Sequence, residues 1–182
     1  MNNLMVDLEG LGTKSNSVIT QIGAVQFDIE TGELGKQFKA NISIDSCLKV
    51  GLKVDQGAIE FWLNQPDEAR LGMIKNTKPL GEVLYEFQAF IQTLEPSNLY
   101  LWGNSARFDL GLLENAYTAC NKQTPWLFRN ERDVRTIVGR HPEIKQRYVD
   151  RGSTGILHDA IDDCIFQIEY LVATHNYIER NR

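Results

Sequence analysis

Asp7 and Glu9 stand two residues apart in Leu4-Met5-Val6-Asp7-Leu8-Glu9-Gly10, and three more side chains capable of chemistry, Asp109, His158 and Asp163, stand far downstream. The first run alternates as a strand does, with Met5 making its start apolar on both faces. Side chains two apart on a strand leave the same face, roughly 7 Å apart at about 3.3 Å per residue. Two ionised carboxylates at the end of a buried strand are costly unless positive charge lies between them. A divalent cation with oxygen ligands answers that need, and Mg²⁺ or Mn²⁺ suits carboxylates. Gly10 and Gly12 follow, so backbone can approach a ligand closely there. A lone D-x-E is nevertheless ordinarily a strand running into a solvated loop, and only the rest of the chain changes that weighting.

Asp109 closes Trp102-Gly103-Asn104-Ser105-Ala106-Arg107-Phe108-Asp109, where the helix dipole alone would favour an acid. His158-Asp159-Ala160-Ile161-Asp162-Asp163 opens the last helical pattern. Five residues on a helix amount to about 140° of rotation, so His158 and Asp163 share no clean face. If both serve one site, His158 belongs to the loop or the frayed first turn. Asp159 is the natural N-cap and Asp162 can close a capping box with it, which leaves Asp163 as the carboxylate without a structural task.

The elements that must position these residues can be read from periodicity. Val18–Phe27 is a second strand rich in β-branched residues, and Lys36–Ile44 alternates as a third that returns antiparallel. The pattern predicts a helix from about Asp55 to Asn64, and Asp67 can cap a short one through Ile74. Pro79 starts a strongly amphipathic helix running to Leu94, and Pro96-Ser97-Asn98 breaks it. Leu99–Gly103 is a short apolar strand, followed by a turn and a helix from about Asp109 to Cys120. After Pro125 the pattern weakens, although Asp133–Val138 reads as a strand turning into a helix. Gly152-Ser153-Thr154-Gly155 is a flexible loop before the last helix, which runs from about His158 into the 170s. Such an order predicts an α/β fold with a mixed sheet flanked by helices on both faces. Sites in open α/β sheets lie beyond the carboxyl ends of strands, so Asp7, Glu9 and Asp109 are expected to meet at one edge.

The chain has 182 residues, which reads as a single domain over 1–182 with a sizeable core. It has no apolar run of membrane-spanning length and no signal-peptide pattern, so no membrane partner is expected. Cys47, Cys120 and Cys164 are odd in number and far apart, without metal or disulfide spacing. They are expected to be buried apolar residues, and a cytoplasmic location follows. A net charge of −5 argues against a passive binder of nucleic acid, but not against an enzyme whose cations supply positive charge. Between Arg129 and Arg151 seven Lys and Arg face four acids, a mixed surface or a phosphate-facing patch. His141 and His175 are expected at the surface, and Trp62 and Trp126 in the core or at its rim.

Taken together, these segments resemble the DEDDh 3′–5′ exonucleases of the ribonuclease H-like fold. Asp7-Leu8-Glu9 is similar to the family's D-x-E motif, Asn104 through Asp109 to N-x-x-x-F-D, and His158 through Asp163 to H-x-A-x-x-D. Ile19–Val25, Trp102-Gly103-Asn104 and Arg132–Thr136 are closest to the phage and prophage exonucleases and bacterial exoribonuclease-like proteins. The family's common Thr-Gly after D-x-E is replaced by Gly10-Leu11-Gly12. The resemblance implies phosphodiester hydrolysis with two divalent cations, Mg²⁺ or Mn²⁺, held by Asp7, Glu9, Asp109 and Asp163, with His158 as general base. It also implies that Glu9 and the backbone after it touch the terminal 3′-hydroxyl. Leu8, Gly10, Asn104, Arg107 and Phe108 are the remaining candidates for contact with substrate. Arg107 is left between pairing with Asp109 and holding a phosphate. The implied partner is a single-stranded nucleic acid with a free 3′ end, DNA favoured over RNA, and a homodimer is left open. The competing reading, from another class, is a non-catalytic nucleic-acid-binding module. A complete set of acids with His158 is something such a module does not need.

Overall fold

The computed structural model describes residues 1–94, 99–153 and 155–181. The expected break at Pro96-Ser97-Asn98 and Thr154 of the glycine loop lie outside them.

A five-stranded sheet has the order β3-β2-β1-β4-β5, with β1 Asn3–Gly10, β2 Ile19–Phe27, β3 Leu34–Asn41, β4 Tyr100–Gly103 and β5 Glu131–Asp133. β1, β2 and β3 form antiparallel pairs, whereas β4 and β5 run parallel to β1, so the sheet is mixed. The lengths matter for the site. β1 pairs with β2 along its whole length but with β4 only from Asn3 to Met5. From Val6 onward, among the described residues, one edge of β1 therefore has no strand beside it, and Asp7 and Glu9 lie on that free stretch.

Among the described residues eight α-helices accompany the sheet: α1 Ile44–Lys49, α2 Gln56–Leu63, α3 Asp67–Ile74, α4 Leu80–Gln92, α5 Ala106–Ala119, α6 Val134–Val138, α7 Pro142–Arg151 and α8 Ala160–Arg180. They divide between the two faces because β1 does. Leu4, Val6 and Leu8 point into a core with Val83, Leu84, Phe87 and Ile91 of α4 and Leu110, Leu113 and Tyr117 of α5. Met5, with Val25, Phe27 and Trp102, packs on the other face against Val134 and Val138 of α6 and Cys164, Ile168 and Leu171 of α8. None of these helices is long and apolar enough to cross a membrane.

Several boundaries differ from expectation for local reasons. The third strand stops at Asn41 rather than Ile44, because Ser43 accepts a hydrogen bond from Ser46 N and caps α1, a helix the alternation concealed. Pro66, not Asp67, holds the N-cap position of α3, and Asp67 pairs with Arg70 instead. Helix α5 begins at Ala106, three residues early, since carboxylates rather than its N-cap side chain satisfy its first N–H groups. The polar helix α7 went unread after Pro125, its one buried residue being Ile144. Cys120 is half-buried rather than buried. His141 and His175 are half-buried rather than exposed, and the His141 ring packs edge-on to Tyr177 at 4.7 Å.

Candidate active site

Asp7 and Glu9 share the face of β1 that carries Met5, so they look toward α8. Gln167, on α8, donates from Nε2 to Asp7 Oδ1 at 2.7 Å. Glu9 is 8% exposed. Asp109 reaches the same place around the short end of β4. Its Oδ1 accepts from Leu8 N at 3.3 Å, on the stretch of β1 without a strand partner, and its Oδ2 accepts from Ser105 N at 3.3 Å. Asp109 is thus buried at the first turn of α5 and is not paired with Arg107, which is exposed.

The N-terminus of α8 is held hard against β2. A Cβ on Gly23, the residue opposite Asp7, would lie 2.4 Å from the carbonyl carbon of Ala160, so only glycine allows this approach. Buried Gln21 accepts from Ala160 N at 2.7 Å and donates to Asn41 at 2.7 Å. Asp159 caps the helix by accepting from Ile161 N and pairs with Lys39. Asp162 does not close the expected capping box; it accepts from Ile156 N at 2.7 Å and so ties down the preceding loop. Asp163 is left to face Glu9.

His158 precedes the helix in a left-handed conformation, φ 63°. Its ring lies edge-on to Phe61 at 5.0 Å and to Trp62 at 5.7 Å, and Trp62 is fixed by an indole hydrogen bond to Gly10 O. Oxygen atoms of Glu9 and Asp163 and a ring nitrogen of His158 all lie within 4.8 Å of one another. The structure therefore brings together all five residues singled out in the sequence. It adds Gln167, whose signal was its position four residues after Asp163, on the same helix face.

The electrostatics are those of a crowded, desolvated set of acids. Burial, then the charge of Asp109, pushes Asp7 upward, with Gln167 opposing. Burial, then Asp7 and Asp163, raises Glu9 well above the carboxylate range. Burial also raises Asp109, against its backbone hydrogen bonds, and it lifts Asp163 to about 7 with Asp7 adding to it. Burial lowers His158 from the ordinary imidazole value, which favours the neutral ring. Among the described residues no Lys or Arg pairs with Asp7, Glu9, Asp109 or Asp163. Gln167 Oε1 and, near Asp109, Asn104 Oδ1 are buried and accept no hydrogen bond from the described residues. An oxygen-rich donor set with one imidazole and no counter-charge fits hard divalent cations.

A cavity of about 390 Å³ opens beside this cluster, lined among others by Leu8, Glu9, Gly10, Phe61, Phe108 and His158. Three of the five further candidates, Leu8, Gly10 and Phe108, line it. Asn104 and Arg107 do not, and Arg107 lines a neighbouring cleft. The basic stretch from Arg129 to Arg151 is partly engaged within the protein. Arg132 lies over the Tyr100 ring at 4.3 Å, Lys145 over Tyr170 at 5.0 Å, and Arg151 pairs with Glu169.

Residues 2–175 match the family model of the 3′-5′ exoribonuclease Rv2179c-like domain, and the chain belongs to that family. No curated protein matches the sequence. Among solved structures, cell-death related nuclease 4 superposes with a TM-score of 0.72 at 18% identity, over 96% of this chain and 64% of that one. The nuclease domain of 3′hExo, a DEDDh family member bound to rAMP, gives 0.67 at 12% identity, over 97% and 92%. Exonuclease I of E. coli, in complex with a dA13 oligonucleotide, gives 0.62 at 21% identity, over 99% and 43%. At these identities the likeness speaks for the shared fold. Family and fold agree with the DEDDh resemblance read from the three motifs.

Proposed function

We propose that this chain is a metal-dependent exonuclease that shortens single-stranded nucleic acid from its 3′ end, releasing 5′-mononucleotides. The observation that carries the reading is the convergence of Glu9, Asp163 and the His158 ring, with Asp7 on β1 and Asp109 hydrogen-bonded to the same stretch of β1, beside a cavity within the size range of small-ligand sites. Asp7, Glu9, Asp109 and Asp163 would hold two divalent cations, which when bound supply charge neutralisation at the phosphoryl group and a more acidic attacking water. His158, whose ring packs edge-on to Phe61 and Trp62, would serve as the general base that accepts a proton from the attacking water. Gln167 fixes the Asp7 carboxylate through one oxygen. The aromatic wall of Phe61 and Phe108 suits the terminal base, and Glu9 with the adjoining backbone of Leu8 and Gly10 suits the 3′-hydroxyl.

For the sugar, the family description favours RNA. The sequence resemblance to phage and prophage exonucleases favours DNA, and exonuclease I, which shares the fold, is known in complex with a DNA oligonucleotide. We place RNA first. The test is the time course of mononucleotide release from matched RNA and DNA strands with Mn²⁺ and with EDTA. The reading expects release only with metal, faster on RNA; a DNA rate tenfold higher would reverse the sugar assignment, and metal-independent or absent release would refute the enzyme.

A further inference from the structure

A larger cleft, of about 1080 Å³, runs between the β1–β2 connection and the start of α5. It shares Thr13 and Phe108 with the cavity beside the carboxylates, so the two adjoin at these residues. Each junction residue is followed or preceded by a cation: Lys14 next to Thr13, and Arg107 next to Phe108. Both are exposed, both line the cleft, and neither has an acidic partner among the described residues. The acid Glu114 on the same wall stands seven residues beyond Arg107, about 10 Å along α5 at 1.5 Å per residue. Glu131, the other acid, accepts a hydrogen bond from the Trp126 indole. The two cations thus stand next to the residues common to the cleft and the cavity. Thr13, Ser15, Asn16 and Asn115 add hydroxyl and amide groups along the walls.

We propose that this cleft carries the strand on the 5′ side of the scissile bond, with Lys14 and Arg107 contacting the phosphates next to the scissile one. The proposal rests on the exonuclease reading and names where its substrate lies. Phosphate contacts suit both cations, and the Phe108 ring at the junction suits base stacking.

A dinucleotide has a single phosphate, the scissile one, and so leaves no further phosphate for Lys14 and Arg107 to contact. The experiment measures binding of a labelled 12-nucleotide single strand and of a dinucleotide, with Ca²⁺ present, to the wild type and to the Lys14→Gln/Arg107→Gln double variant. The 12-mer is expected to lose about tenfold in affinity relative to the dinucleotide. Its salt dependence is expected to fall by about 1.4 in slope, for two lost contacts at ~0.7 each. The charge-preserving pair Lys14→Arg/Arg107→Lys should restore both. An unchanged ratio of the two affinities, or an equal loss on both ligands, would overturn the cleft assignment. Mononucleotide release by the same wild-type preparation reads the exonuclease assignment separately, so the two fail independently.

Discussion

The two faces of β1 carry opposite physics. Leu4, Val6 and Leu8 are buried in an apolar core with α4 and α5, where each contact stabilises the fold. Met5 begins the other face in the same way, but two residues later Asp7 and then Glu9 replace the expected hydrophobes against α8. The first face gains free energy from burial; the second spends part of it on acids that burial and mutual repulsion push toward protonation. The lesson is that a single strand separates folding from chemistry by parity. Substitutions on one face should move stability, and on the other, turnover.

The sharpest break of that separation is Asp7→Asn. We expect turnover to fall by ~1,000-fold or more, equivalent to about 4 kcal/mol of transition-state stabilisation, in a protein that stays folded by circular dichroism. Near-normal turnover in a folded variant would remove Asp7 from the centre. Leu84→Ala, behind the apolar face, makes the converse case: the side chain is fully buried, and its loss should cost about 2–5 kcal/mol of stability, read by urea unfolding. Turnover per folded molecule should change little, and a loss as deep as that of Asp7→Asn would show that the faces are not separable. Gln167→Leu sharpens the comparison on a finer scale. It keeps the volume and deletes the donor to Asp7, so the half-saturating Mn²⁺ concentration should rise about tenfold. An unaltered metal titration would make Gln167 a packing residue only.

Much of this arrangement is legible in the sequence, and the part that is not has a common cause. The strand at Leu4–Gly10, the Pro79 helix and the last helix are written in local periodicity, and the family motifs fall at the end of β1, between β4 and α5, and at the start of α8. Contacts that join distant segments leave no such trace: Gln167 meets Asp7 across 160 positions, and Asp109 meets Leu8 N across 101. Helix α1 was hidden because Ile42 and Ile44 prolong a strand-like alternation past the cap at Ser43. Asp162 looked like a capping partner by spacing alone, yet the loop at Ile156 competes successfully for its carboxylate. The cleft beside α5 had no sequence signal, because its walls come from residues 13–16 and 105–115 and meet only in the fold.

The central claim is that the acidic face is built for cations, and melting of the protein across pH tests it most directly. Asp163 at about 7, with Asp7, Glu9 and Asp109 also raised, means that the folded state holds protons the unfolded chain releases near pH 4. The contribution of these groups is therefore complete below about pH 4 and is lost as pH rises through about 7 and beyond. Without metal, the midpoint should fall between pH 5 and pH 8. Mn²⁺ at about a hundredfold over its dissociation constant should raise it by roughly 5–10 °C at pH 8 and far less at pH 5. The metal-free Asp7→Asn protein should melt above the wild type at pH 8 and respond less to Mn²⁺. A wild-type midpoint that holds steady across this pH range and ignores Mn²⁺ would contradict the account.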